Sequence, residues 1–144
     1  MVPVQQVAEV LGGRPVLGRR VTSILDLSEL VSGGLPKLAL RHATQRLFDN
    51  PSHRRKLIYR IVPEATFKRR RDRLSPAESE RTERLARVIA TAEYVWQNRD
   101  LSRRFLEAPH PALRRKTPVE AALTELGARQ VEELLARILH GLPA

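Results

Sequence analysis

Residues 75–97 read SPAESERTERLARVIATAEYVWQ, and this stretch decides the fold. Ser75 followed three residues later by Glu78 is a capping box: the hydroxyl accepts the Glu78 N–H, and the carboxylate reaches back to the Ser75 N–H. Pro76 stands at the first helical position, where its missing N–H leaves nothing unsatisfied. Behind this start, Leu85, Val88, Ile89, Ala92, Val95 and Trp96 recur at the i, i+3, i+4, i+7 spacing of one helical face. The spacing predicts a helix from Pro76 to about Gln97, the spine of the molecule and a face long enough for a dimer contact. Glu80–Arg84 and Glu83–Arg87 form i, i+4 pairs predicted on the opposite side, contributing roughly 0.3–0.5 kcal/mol each.

Outward from this helix the same punctuation repeats. Asp26-Leu-Ser-Glu29 reads as a capping box whose helix stops at Gly33-Gly34. Pro36 opens a helix to about Phe48, with Leu38, Leu40, Ala43 and Leu47 turned inward. Asn50-Pro51 opens another to about Ile61, and Pro63 opens the next. Downstream, Asp100 caps a short helix to Leu106, and Thr117-Pro118-Val119-Glu120 starts one broken near Gly127. The last helix, Ala128 to His140, buries Val131, Leu134, Leu135 and Ile138; Gly141 stops it, and Leu142-Pro143-Ala144 follow as a free tail. Residues 1–25, with a short helix over Val4–Val10 and the Gly-rich LGGRPVLGRR, are expected to be weakly ordered. No stretch alternates as a strand, so the fold class is all-α.

The chain has 144 residues, 42% of them apolar, 4% aromatic and none cysteine. One domain, or two helical lobes sharing an aliphatic core, fits that length. No thiolate chemistry or disulfide framework is available to it. No apolar run suits a membrane span and no signal layout is visible, as expected of a cytoplasmic protein. The net charge of +10 is concentrated: residues 41–73 hold eleven cations against three acids, and the remainder is nearly neutral. Such asymmetry is the footprint of a nucleic-acid-binding module. Segments 51–61 and 64–73, joined at Val62-Pro63, have a helix-turn-helix layout in which Leu57, Ile61 and Phe67 face the core. Thr66, Lys68, Arg69, Arg70, Arg71 and Arg73 are then offered to DNA. The alternative is a solvated basic flank with no ligand.

Catalysis finds little support. His42, His53, His110 and His140 show no metal-ligand spacing and no carboxylate partner close in sequence. GGRPVLG lacks the Lys-Ser/Thr of a phosphate loop. Neither an enzyme nor a cofactor is expected.

The order of motifs GLPKLAL, ATFKRR, RLSPAESERTERLARVIATAEYVW, FLEAPHPAL and TPVEAALTELGARQVEELLARILHG resembles the Xre/MbcA/ParS-type antitoxins, over residues 26–141. The resemblance implies an Xre-like helix-turn-helix lobe (26–74), the long central helix (75–98) and a small helical toxin-binding lobe with its tail (99–144). It implies a RES-domain toxin as partner, an ADP-ribosyltransferase-like protein that consumes NAD, held by a homodimer in a heterotetramer or larger complex. The antitoxin would occlude the NAD pocket, with Arg115, Lys116, Arg137, His140, Gly141, Leu142, Pro143 and Ala144 as toxin-binding residues, and the complex would bind its promoter. Arg114-Arg115-Lys116 replaces a loop that is usually Gly-Gly-rich in the family. A stand-alone helix-turn-helix regulator is the alternative.

Overall fold

Ser75 and Glu78 start the longest of ten α-helices found among residues 2–142, the residues that this computed structural model describes. In chain order the helices are α1 (Val4–Val10), α2 (Gly13–Leu17), α3 (Ile24–Gly33), α4 (Lys37–Leu47), α5 (Pro51–Ile61), α6 (Glu64–Arg69), α7 (Pro76–Trp96), α8 (Arg99–Glu107), α9 (Pro118–Ala121) and α10 (Glu125–Leu139). A 3-10 turn, Pro111–Leu113, lies between α8 and α9. The all-α expectation holds: among the described residues the only extended pairing is an isolated antiparallel bridge between Pro36 and Arg73.

Helix α7 is wrapped by α1, α3, α4, α5, α8 and α10. Its buried set, Glu78, Ser79, Thr82, Leu85, Ala86, Val88, Ile89, Ala90 and Ala92, covers a little over half of the cylinder, wider than the stripe of an ordinary surface helix. Leu85, Val88 and Ile89 are each at most 1% exposed, and burying side chains of this size contributes about 1.5–3 kcal/mol apiece. The apolar stripe from Leu85 to Ala92 is therefore consumed within one chain, and only its end at Val95 and Trp96 stays partly uncovered. The supposed outer side is also covered. Glu83 and Arg87 do pair at 3.1 Å, but Arg87 continues to Glu132 on α10 at 2.7 Å, and Arg84 turns to Glu125 at 3.1 Å.

The N-terminal segment departs from expectation. Residues 4–17 hold two helices, and Val7, Val10, Leu11, Leu17 and Val21 belong to the same core as α7. Val4, Val7, Ala8 and Leu11 carry the helical spacing that the glycines obscured. Gly12 turns the α1–α2 corner at a φ of 104°, a value glycine reaches without steric cost.

Several boundaries shift for local reasons. The cap of α3 is Ser23, with Asp26 as its reciprocal partner, not Asp26 with Glu29. Asp26 also accepts from the Thr22 N–H and hydroxyl and from Arg19, and these donors hold its carboxyl below the usual range. On α4, Ala39 and Leu40 are buried while Leu38 points outward. Asn98, not Asp100, caps α8. Helix α10 begins a turn early, capped by Thr124. Gly127 lies inside its first turn because a Cβ there would collide with the Ala121 carbonyl oxygen and stand 2.8 Å from its carbon.

The two halves are tied together. Leu35 N–H donates to the fully buried Ser79 hydroxyl at 2.8 Å, and Leu74 N–H to the Leu35 carbonyl. From α8, Arg103 reaches the carbonyls of Gln45 and Arg46 and the Asp49 carboxylate. Those carbonyls end α4 and have no partner within the helix.

Candidate functional site

The basic face is built on α5 and α6. Asn50 caps α5, accepting the Ser52 N–H at 2.8 Å, and Pro51 occupies the first turn. Leu57, Ile58 and Ile61 anchor it, and Phe67 anchors α6. Lys37 and Arg41 of α4 lie over the Phe67 ring at 4.4 and 5.2 Å, cation–π contacts that fix α6 against α4. Helix α6 has only six residues, so the run Lys68–Arg73 is mostly not helical.

That shortness divides the run. Lys68 is exposed, 3.6 Å from Glu64. Arg69 and Arg71 are exposed with no ion-pair partner among the described residues, and Thr66 is half-buried. Arg70 is instead committed inward: Nε and Nη2 donate to both oxygens of Glu78 at 3.1 and 3.0 Å. Burial pushes the Glu78 carboxyl up, but Arg70 and the Ser75 N–H outweigh this and hold it below the usual range. Arg73 donates to the Gly34 carbonyl at 2.9 Å while remaining exposed. Of the six residues expected to contact DNA, Arg70 thus also joins α6 to the start of α7 through its guanidinium. Three cations that motif reasoning passed over, Arg55, Lys56 and Arg60, lie exposed on α5. Their signal was already present in the charge count over 41–73.

The second surface lies at the C-terminal end. Thr117 and Glu120 form a capping box for α9. Before it, residues 110–116 close a tight loop: the His110 carbonyl accepts from Leu113 and Arg115, and His110 N–H donates to the Lys116 carbonyl at 3.1 Å. His110 also caps the 3-10 turn, its Nδ1 accepting the Ala112 N–H at 3.0 Å. Arg114 and Arg115 both adopt left-handed backbone, φ 53° and 67°, a region that costs a non-glycine residue about 1–2 kcal/mol. Arg115 and Lys116 are exposed on this loop, and the 3-10 turn before them packs on α10.

Helix α10 ends in a Schellman motif. Leu142 N–H bonds the Arg137 carbonyl at 2.8 Å and Gly141 N–H bonds that of Ile138 at 3.1 Å, with Gly141 at φ 68°. Arg137, His140, Gly141 and Leu142 are brought together there, all exposed. Leu142 is thus hydrogen-bonded into the helix stop, not the first residue of a free tail. Pro143 and Ala144 lie outside the described residues.

Between α1, α3, α7 and α10 runs a groove of about 850 Å³. Its floor is charged: Arg87 is ringed by Glu83, Glu125 and Glu132. Burial raises the Glu83 carboxyl above its ordinary value despite Arg87. For Arg87, burial opposes the charge, but the surrounding carboxylates raise its pKa overall. Among the described residues no group of His, Asp and Glu is placed to hold a metal ion.

Two family models match this chain. One describes an antitoxin Xre-like helix-turn-helix domain and matches residues 26–87; the other describes an antitoxin Xre/MbcA/ParS C-terminal toxin-binding domain and matches residues 91–141. A relative from Pseudomonas putida, named Antitoxin Xre, is 32% identical over 134 residues, covering 85% of this chain and 82% of that protein.

Proposed function

Because the chain belongs to the Xre/MbcA/ParS family of antitoxins, we propose that it neutralises a RES-domain toxin by covering that toxin's NAD pocket with its own C-terminal end. The observation that carries this is the exposed end of α10, Arg137 to Leu142, lying within and just past the matched toxin-binding domain. In this mechanism the protein performs no chemistry and holds no cofactor. It acts by occupancy, so inhibition follows binding stoichiometry. Arg137, His140, Arg115 and Lys116 supply donors for anionic groups such as those that line or occupy a dinucleotide cleft.

The same proposal gives the α5–α6 face to promoter DNA. Lys68, Arg69 and Arg71, together with Arg55, Lys56 and Arg60, provide phosphate contacts, and Thr66 is the polar side chain of α6 facing outward in part. Binding occurs in the cytoplasm through a homodimer inside the toxin–antitoxin complex. With Leu85 to Ala92 of α7 already covered, the dimer contact lies elsewhere.

The experiment is a truncation. Removing residues 143–144 leaves both Schellman bonds in place, whereas removing 141–144 deletes the donors of both. NAD turnover by the toxin is titrated with parent and shortened proteins, and each is melted alone. The mechanism expects lost inhibition at unchanged melting temperature for the shorter cut. Undiminished inhibition by both truncations would refute occlusion by the C-terminal end.

A further inference from the structure

The groove between the two ends of the chain has a composition unlike the rest of the surface. Val4, Ile24 and Val31 form one wall and Tyr94, Ala136 and Leu139 the other. Ile24 is 71% and Leu139 46% exposed, so the walls are apolar but uncovered. The charged lining holds Glu83, Glu125, Glu132 and Glu133 against Arg87 and Arg129. It is therefore net acidic in a chain whose net charge is +10. One wall belongs to the stretch matched by the toxin-binding model, 91–141. The other comes from residues 4–31, which that model does not reach.

We propose that this groove is a second docking site for the toxin, taking an amphipathic segment that carries Lys or Arg along its apolar face. The inference rests on the antitoxin reading and adds a contact separate from the C-terminal end. Apolar walls with an acidic floor select an apolar segment bearing cations, because its charges meet Glu132 and Glu133 as its side chains cover Ile24 and Leu139. The groove lining also reaches His140, one of the residues of the C-terminal surface, so one partner spans both. A second copy of this chain that met the groove through its own Ile24–Leu25 corner would set acid against acid, since α3 carries Asp26 and Glu29 and no cation.

The test measures affinity of the full-length protein for its cognate toxin by calorimetry at low and high salt. The variant Ile24→Arg/Glu133→Lys changes two exposed positions, and Leu139→Arg probes the opposite wall. The groove predicts affinity weaker by about tenfold or more for each, with a shallower salt dependence for the first and parental melting curves for both. Affinity within about twofold of parent for both variants overturns the proposal. So does a change in sedimentation of the free protein at unchanged toxin affinity, which would assign the groove to a second copy. A parent protein that binds no toxin overturns the antitoxin reading as well; a binding parent with unaffected variants overturns the groove alone.

Discussion

Gly127→Ala sets local propensity against tertiary packing, and the two predict opposite signs. Gly127 stands in the first turn of α10 with ordinary helical backbone. Alanine is the better helix former by about 1 kcal/mol, so propensity alone predicts stabilisation. The new Cβ, however, would overlap the Ala121 carbonyl oxygen and lie 2.9 Å from Thr124 Oγ1, the atom that caps the helix. The obstacle is backbone, so relief requires separating α9 from α10 or losing the cap. Overpacking of this kind costs about 1–3 kcal/mol, and a lost Thr cap about 1 more. The expected net is a destabilisation of about 2 kcal/mol, a fall in Tm of about 4–8 °C for a chain of this size. Gly33→Ala supplies the control: it ends α3, and nothing lies within 4 Å of the Cβ it would gain. That change should be neutral or stabilising by up to about 1 kcal/mol. Urea and thermal melts of both variants decide the matter. Equal or greater stability for Gly127→Ala, at unchanged m-value, would refute the close approach.

Three further outcomes follow from the site geometry. Arg69→Ala should weaken promoter binding and lower its salt slope by about 1; Arg70→Ala should lower protein stability and leave that slope unchanged, as filter binding across a salt series would show. Glycine at Arg114 or Arg115 removes left-handed strain of about 1–2 kcal/mol against a backbone-entropy cost of about 0.5–1, so each variant should melt slightly higher than parent. Burial holds Glu83 and Glu93 above their ordinary 4.5, so folding takes up protons there. Stability from these two groups therefore increases as pH falls from neutral toward 4.5. Asp26 and Glu78 lie below their ordinary 3.8 and 4.5, so their contribution is lost on further acidification. A melting series that falls steadily from pH 7 would contradict this balance.

Most of the fold was legible because its helix starts are local chemistry. Ser75, Asn50 and Thr117 announce themselves within four residues, and the structure places a cap at each. Asp26 heads a cap-like tetrad in the sequence, but Thr22 and Arg19 bind its side chain and the cap falls to Ser23. The core packing of residues 4–17 was hidden because glycine pairs signal loose chain and tight corner alike. At the site, charge counting found the basic segment but could not tell which cations were already committed. Arg70 and Arg69 are neighbours of identical type, and only the buried Glu78 beside one of them separates their roles.

The packing of Val2, Val7, Leu11 and Leu17 into the common core bears on how long this part of the protein lasts in a cell. Among residues 2–142, the longest stretches outside helices are the short connections at 18–23, 70–75 and 108–117, and the last two are pinned by backbone hydrogen bonds. A protease needs an extended segment to engage, and these connections are short. Cleavage within residues 2–142 should then track the rate of global unfolding, or the population of the open chain. Any core substitution that speeds unfolding would shorten the lifetime of the inhibitor without touching the surface that inhibits.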